Sequence, residues 1–223
     1  MKNFNVFYAS LDSNLYFLFD FNVFFKYYIN MEKILLNEID KIVELLKENK
    51  IIALPTDTIY GFSCLATSDE TIDRLYKIKE RNESKQFIIL VGKNYNLSHL
   101  VRPSDEILEF VSKNSPAPLT MIVEKNPTAP ISRHFSLPTL AIRIPDDEFL
   151  QNILDKVGFI ISTSCNIQGE PPLNTWQEIA TNFPSIDGLV KRDNLPASKP
   201  STIVDLTSTP FNIIRQGEYV VSD

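Results

Sequence analysis

A single α/β domain with a mixed, twisted sheet is the fold class this sequence predicts. Three observations carry that expectation. Short apolar runs of strand length alternate with segments of helical periodicity, and several runs follow one another with no helix between them. Neither an internal repeat nor a low-complexity linker divides the 223 residues. With 43% hydrophobic and 22% charged residues, the chain has the material for one sizeable core.

The elements follow in order. Residues 33–48 carry Ile39, Ile42, Val43 and Leu46 at helical spacing, with charged residues on the other face. The apolar run 51–54 is a short strand stopped at Pro55. Thr67 and Glu70 read as a capping box that opens a helix burying Ile72, Leu75 and Tyr76 and running to about Arg81. Residues 86–92 form the next strand. Ser104 or Asp105 caps a helix that runs through Asn114, and residues 119–124 and 139–144 are strands, the second stopped by Pro145. A helix over 147–156 buries Leu150, Ile153 and Leu154, and 158–163 is a buried strand. A short helix near 175–182 carries Trp176, and strands at 201–206 and 211–215 complete the order. The stretch 184–201 reads as a long loop, of the kind that serves as a lid or binding loop.

Residues 1–30 differ from the rest, with eleven of the 24 aromatic residues. Asp12, Asp20 and Lys26 interrupt the apolar stretches, so no run reaches the roughly 18 residues of a membrane span, and no small-residue cleavage site follows. The expectation is an N-terminal extension outside the fold, with a start set upstream of Met31 as one explanation and an extra hairpin or a membrane-surface segment as the alternatives, and the domain occupying 31–223.

Composition excludes some functions and narrows others. A net charge of −6 and a pI near 5.1 speak against general polyanion binding. Residues 71–102 run against that balance, with seven Lys or Arg and three acids, a local +4 that leaves −10 for the remainder. Such a patch on an acidic protein suits a small anionic ligand. Cys64 and Cys165 form no CxxC spacing and read as reduced thiols of a cytoplasmic protein. His99 and His134 are too few for a metal cage and read as surface or loop residues, so no metal ligands are expected.

Three segments are candidates for chemistry. The six glycines form neither GxGxxG nor GxxxxGK[ST], so side chains must supply any phosphate-binding charge. Lys77, Lys79, Arg81 and Lys85 cluster before the apolar run that starts at Phe87. Taken alone, they fit a helix C-terminus decorated with cations that favour the macrodipole. If the helix ends near Arg81, then Lys79, Arg81 and Lys85 can converge through the turn. Pro55-Thr56-Asp57-Thr58-Ile59-Tyr60-Gly61 and Ile161-Ser162-Thr163-Ser164-Cys165-Asn166 each deliver small polar side chains at the end of a buried strand. Ligands of open α/β sheets bind at such ends, although a turn bonding its own backbone has the same composition.

Together these segments resemble the YrdC-like family, the threonylcarbamoyl-AMP synthases. The family tetrad, K-x-R followed far downstream by S-x-N, reads here Lys79-Glu80-Arg81 and Ser164-Cys165-Asn166. PTDTIYGF at 55–62, LAIRIP at 140–145, KPSTIVDL at 199–206 and IIRQGE at 213–218 match further family segments in the right order, and the resemblance covers 31–217. Departures are Asn82 for the usual Pro, Lys85-Gln86 for a K-P or N-P pair, Leu90 for a frequent His, and Pro116-Ala117-Pro118 for P-G-P.

The resemblance implies a twisted, mostly parallel sheet with a concave basic cleft. It implies an enzyme that joins L-threonine, bicarbonate and ATP into threonylcarbamoyl-AMP and releases pyrophosphate. A partner transferase would then use that adenylate to make N6-threonylcarbamoyladenosine in tRNA. Lys79, Arg81 and Lys85 would neutralise phosphates, Ser164 and Asn166 would hydrogen-bond the nucleotide or carbamate, and Thr139 and Arg215 would join the ATP site. Thr58, Arg143, Ser164 and Ser201 would hold threonine, with Arg143 opposite its carboxylate. Mg²⁺ would bridge phosphate oxygens, and no general base is assigned. Two other readings compete: an RNA-binding module of the same fold, with weak RNA contact at the cleft, and a carbamoyl-adenylate domain like those of hydrogenase maturation factors. No membrane partner is expected.

Overall fold

The computed structural model describes residues 31–193 and 200–222, so the expected extension at 1–30 and part of the 184–201 loop lie outside the described residues. Ten strands form one sheet: β1 (Glu32–Leu35), β2 (Ile52–Leu54), β3 (Gly61–Cys64), β4 (Ile88–Val91), β5 (Leu119–Glu124), β6 (Thr139–Arg143), β7 (Phe159–Ser164), β8 (Gly188–Lys191), β9 (Thr202–Asp205) and β10 (Asn212–Arg215). Their spatial order is β1-β8-β2-β3-β7-β4-β6-β5-β9-β10. The helices are α1 (Ile39–Lys47), α2 (Asp69–Lys79), α3 (Asp105–Asn114), α4 (Glu148–Val157) and α5 (Trp176–Asn182).

The sheet is mixed, as the helix-free strand pairs require. β1–β8, β2–β8, β4–β6 and β5–β9 are parallel, and the other pairs, including both that flank β7, are antiparallel. It is not the mostly parallel sheet that the resemblance implies, because short turns rather than crossover helices join β2 to β3 and β9 to β10.

Both faces of the sheet are covered, which explains the unbroken apolar runs. Ile52 and Leu54 pack with α1 (Ile42, Leu46) and α4 (Leu150, Ile153) on one face. Ile51 and Ala53, one residue out of phase, pack on the other face with Ile72 and Leu75 of α2 and Ile179 of α5. No helix among the described residues is long and apolar enough to cross a membrane.

Several boundaries depart from expectation. The predicted helix over 33–48 is strand β1 followed by α1, because Ile34 pairs in parallel with Val190 of β8, a partner that local periodicity cannot reveal. The sequence assigns no element to residues 62–64 of β3 and places β8 within the loop 184–201. Each is four residues long, too short for a period, and pairing alone makes it a strand. The cap of α2 is Ser68 rather than Thr67: its hydroxyl accepts from the Thr71 amide at 3.4 Å and lies 2.8 Å from the Thr71 hydroxyl. α2 also stops at Lys79, two residues earlier than predicted, where Glu80 takes a left-handed conformation at φ 48°.

Candidate active site

The early stop of α2 sets up the site. A helix continuing to Arg81 would keep that residue on the Lys77 face. The left-handed Glu80 ends the helix instead, and the Arg81 amide closes the cap on the Tyr76 carbonyl at 3.0 Å. From there the Arg81 side chain reaches a cavity of about 370 Å³. The turn from Thr56 to Gly61, the lead-in to β4 at Gln86–Ile88, the end of β6 at Arg143, the end of β7 at 162–164, Ser201 and Arg215 contribute the other walls.

Each wall is held by local bonds. The Thr56 hydroxyl accepts from the amides of Thr58 and Ile59 at 3.1 and 3.2 Å, which locks the turn after β2. Tyr60 ties that turn to β8, its hydroxyl donating to the Val190 carbonyl at 2.8 Å and accepting from the Arg192 amide at 2.9 Å. Burial raises its phenol to about 12. Gly61 passes against Ser162 so closely that a Cβ would collide with its hydroxyl.

Lys79 links the two halves of the tetrad. Only 1% exposed, its ammonium donates to the carbonyls of Ser164 at 2.6 Å and Asn166 at 2.8 Å, and to Asn166 Oδ1 at 3.1 Å. Asn166 Oδ1 also accepts from the Ser164 hydroxyl at 2.6 Å. Burial lowers the Lys79 amine to about 8. The side chain therefore braces the end of β7 and is not among the residues lining the cavity. Asn166 likewise stands behind the wall, while Ser164 lines it.

Among the described residues, three arginines line the cavity and no carboxylate does. Arg81 lies 4.9 Å over the Phe87 ring and donates through Nε to the Lys85 carbonyl (3.0 Å) and through an amino group to the Gln86 carbonyl (2.8 Å). Arg215 donates to the Ser201 carbonyl at 3.1 and 2.7 Å. Desolvation lowers both guanidinium groups, and among the described residues neither is ion-paired. Arg143, 6% exposed, is different: it pairs with Asp57 and donates to the Thr58 hydroxyl at 3.2 Å. Its Nε has no hydrogen-bond partner among the described residues. Ser201 completes the wall, its hydroxyl 2.9 Å from that of Thr120.

Of the sequence candidates, the structure gathers Thr58, Arg81, Arg143, Ser164, Ser201 and Arg215 around the cavity. Lys85 does not converge with Lys79 and Arg81. Asn82 caps the turn, accepting from the Ser84 amide at 2.8 Å, and leaves the Lys85 side chain exposed with only its carbonyl directed to Arg81. Thr139 also stays out of the lining. With the Gln86 amide oriented to satisfy both its ends, Gln86 donates to the Thr139 carbonyl at 3.2 Å. The sequence reading missed the pairing of Asp57 with Arg143. Its one local signal was a carboxylate at the strand end beside Thr58. Cys64 and Cys165 are free and buried, and burial raises both thiols, Cys64 to about 12.

Comparison with known proteins bears on the family and the fold. The model of the Sua5, YciO and YrdC proteins, described as "Telomere recombination", matches residues 44–217. A threonylcarbamoyl-AMP synthase of Haemophilus influenzae is 30% identical over 190 residues, covering 80% of this chain and 98% of its own. A putative threonylcarbamoyl-AMP synthase of Methanocaldococcus jannaschii is 29% identical over 184 residues, 79% of this chain and 86% of its own. Among solved structures, Pyrococcus abyssi Sua5 complexed with L-threonine superposes with a TM-score of 0.75 at 24% identity, over 84% of this chain and 57% of that one. Escherichia coli YciO gives 0.75 at 21% identity, over 86% of this chain and 97% of that one. At these identities the two structures speak for the fold.

Proposed function

The chain belongs to the Sua5/YciO/YrdC family, and we propose that it is an L-threonylcarbamoyladenylate synthase. The observation that carries this reading is a cavity lined, among the described residues, by three arginines and no carboxylate, placed where Lys79 joins the K-x-R turn to the S-x-N strand end. The names of the curated relatives support the same activity.

In this reaction the amine of L-threonine combines with bicarbonate to give a carbamate and water. A carbamate oxygen attacks the α-phosphorus of ATP, the bond to the β-phosphate breaks, and pyrophosphate leaves with the electron pair. Negative charge gathers on the phosphoryl oxygens, so positioned cations do most of the work. Arg81 and Arg215 supply that charge, since no acidic side chain among the described residues neutralises them. Arg81 is already oriented by two backbone carbonyls, which reduces its reorganisation on binding. Arg143, with Nε unpartnered, Thr58 and Ser201 hold threonine, and the Ser164 hydroxyl bonds the carbamate. Lys79 and Asn166 act from behind this wall as positioning residues.

Mg²⁺ arrives with ATP as part of that substrate. With no carboxylate in the lining and Asp57 paired to Arg143, the donor set suits an ion carried by phosphate oxygens and water. Within this reading residues 31–223 are the catalytic domain, working in the cytoplasm, and the adenylate passes to a transferase that modifies tRNA. The test is pyrophosphate release by the purified protein given ATP, bicarbonate and L-threonine. Release that does not depend on threonine sinks the proposal, and salt-dependent RNA binding without turnover would favour the RNA-binding module.

A further inference from the structure

A second polar cluster lies on the outer side of the turn that carries Arg81. Asp73 of α2, Glu83 of the turn and His134 of the loop between β5 and β6 bring one ligand atom each to within 4.8 Å of one another. The His134 side chain is only 7% exposed, and its Nε2 lies 3.0 Å from Asp73 Oδ1. That nitrogen is buried and makes no hydrogen bond among the described residues. A buried imidazole nitrogen this close to a carboxylate oxygen, with no hydrogen bond of good geometry between them, is a ligand pair that a cation can bridge. The ring is not free to turn away. It packs 5.5 Å from the Tyr76 ring, and the His134 amide donates to the Ser132 hydroxyl at 3.2 Å, which is itself bonded to Asp69.

We propose that Asp73, Glu83 and His134 form a binding site for a divalent transition-metal cation of the Zn²⁺ class. Ligand arms of about 2.0–2.2 Å put two ligands at most about 4.4 Å apart across an ion, and less where they are adjacent. His134 and Asp73 already stand at adjacent-ligand spacing, and Glu83, exposed on its turn, needs only a side-chain rotation to close in. One imidazole with two carboxylates suits Zn²⁺ and its first-row neighbours, whereas Mg²⁺ and Ca²⁺ take oxygen ligands. Arg133 is the competing charge. It reaches the other oxygen of Asp73 at 3.3 Å and Asp69 at 3.5 Å, but it is 67% exposed and leaves Asp73 Oδ1 to the site. Sequence spacing could not suggest this centre, because its ligands come from three separate segments.

The ion would tie α2 to the turn whose Lys85 and Gln86 carbonyls orient Arg81. The binding site itself stands independently of the adenylate chemistry. To test it, the full chain is stripped with EDTA, dialysed and titrated with ZnCl₂ by calorimetry and with CoCl₂ by visible absorption. The expected result is one equivalent bound with excess MgCl₂ present. Losing a ligand should weaken binding at least as much as losing an outer-shell partner does, about 10–100-fold, so His134→Gln and Glu83→Gln should both show such a loss. Glu83 is exposed, so its variant keeps the fold. No saturable binding by the unaltered protein, as expected if the His134 ring simply rests against Asp73, overturns the site. Unchanged affinity in either variant overturns it as well. Because the readout is binding rather than turnover, this outcome is separate from the outcome of the pyrophosphate assay.

Discussion

The Lys79 ammonium donates to both the main-chain carbonyl and the side-chain Oδ1 of Asn166, 87 positions further along the chain. With the third bond, to the Ser164 carbonyl, one buried cation fixes the backbone of the S-x-N strand end. Removing it leaves the Asn166 carbonyl without a donor among the described residues, while the Ser164 carbonyl and Asn166 Oδ1 keep the Asn166 amide and the Ser164 hydroxyl. Lys79→Met should destabilise the protein by about 1–3 kcal/mol, which for a chain of this size lowers Tm by roughly 2–12 °C. Calorimetry or circular dichroism melts would read this, and a wild-type Tm would refute the bracing role.

Arg81 should behave in the opposite way. Its side chain bonds carbonyls of a surface turn and serves the cavity rather than the core. Arg81→Ala should keep cooperative unfolding, with a loss of about 1 kcal/mol or less, while threonine-dependent pyrophosphate release falls by about 10²-fold or more. Loss of the cooperative transition would instead assign Arg81 to structure.

The Lys79 amine provides a pH test. Burial lowers it from the usual 10.5 to about 8. Between those values the unfolded chain holds a proton that the folded one has released, so stability rises with pH across that window. Below it both states are charged, and the folded state bears the cost of the buried ammonium. NMR titration of ¹³C-labelled lysine should find one amine titrating near 8, absent in Lys79→Met, and stability of the unaltered protein should gain on the variant from pH 8 to 10. All lysines titrating above 10 would contradict this.

Asp57 and Arg143 form a pair in which both side chains are 8% exposed. Asp57→Ala leaves a buried guanidinium without its counter-charge, which costs about 3–5 kcal/mol. The freed arginine, which lines the cavity, also loses its fixed orientation there, so KM for threonine should rise more than KM for ATP. Equal changes in both would argue against Arg143 as the threonine contact.

Gly61→Ala would push its Cβ against the Ser162 hydroxyl. The hydroxyl can swing aside only by moving within the cavity wall to which both residues belong. A stability loss of about 1–3 kcal/mol is expected from the overpacking, together with weaker threonine binding by calorimetry. Unaltered binding would place the threonine pocket elsewhere in the cavity.

Much of the site was legible because its residues sit at ends of strands that announce themselves. The runs at 51–54 and 159–161 are wholly apolar, so the polar groups that follow them, from Thr56 and from Ser162 onward, had to lie toward strand ends. Arg81, Arg143 and Arg215 came with the motif segments. Lys85 and Thr139 did not reach the cavity. Motif order cannot tell which side of a turn a residue faces, and Lys85 stays exposed on the turn that Asn82 caps.

By itself, then, the sequence determined the α/β class, the two-sided burial of the central strands and the family, since periodicity, apolar runs and ordered motifs are local properties. Only the tertiary structure decided that β1, β3 and β8 are strands, that Lys79 braces the site from behind, that Asp57 holds Arg143, and that His134 meets Asp73 and Glu83. Each of these depends on a partner brought near by folding, with a strength set by burial and distance, neither of which is written in the order of residues.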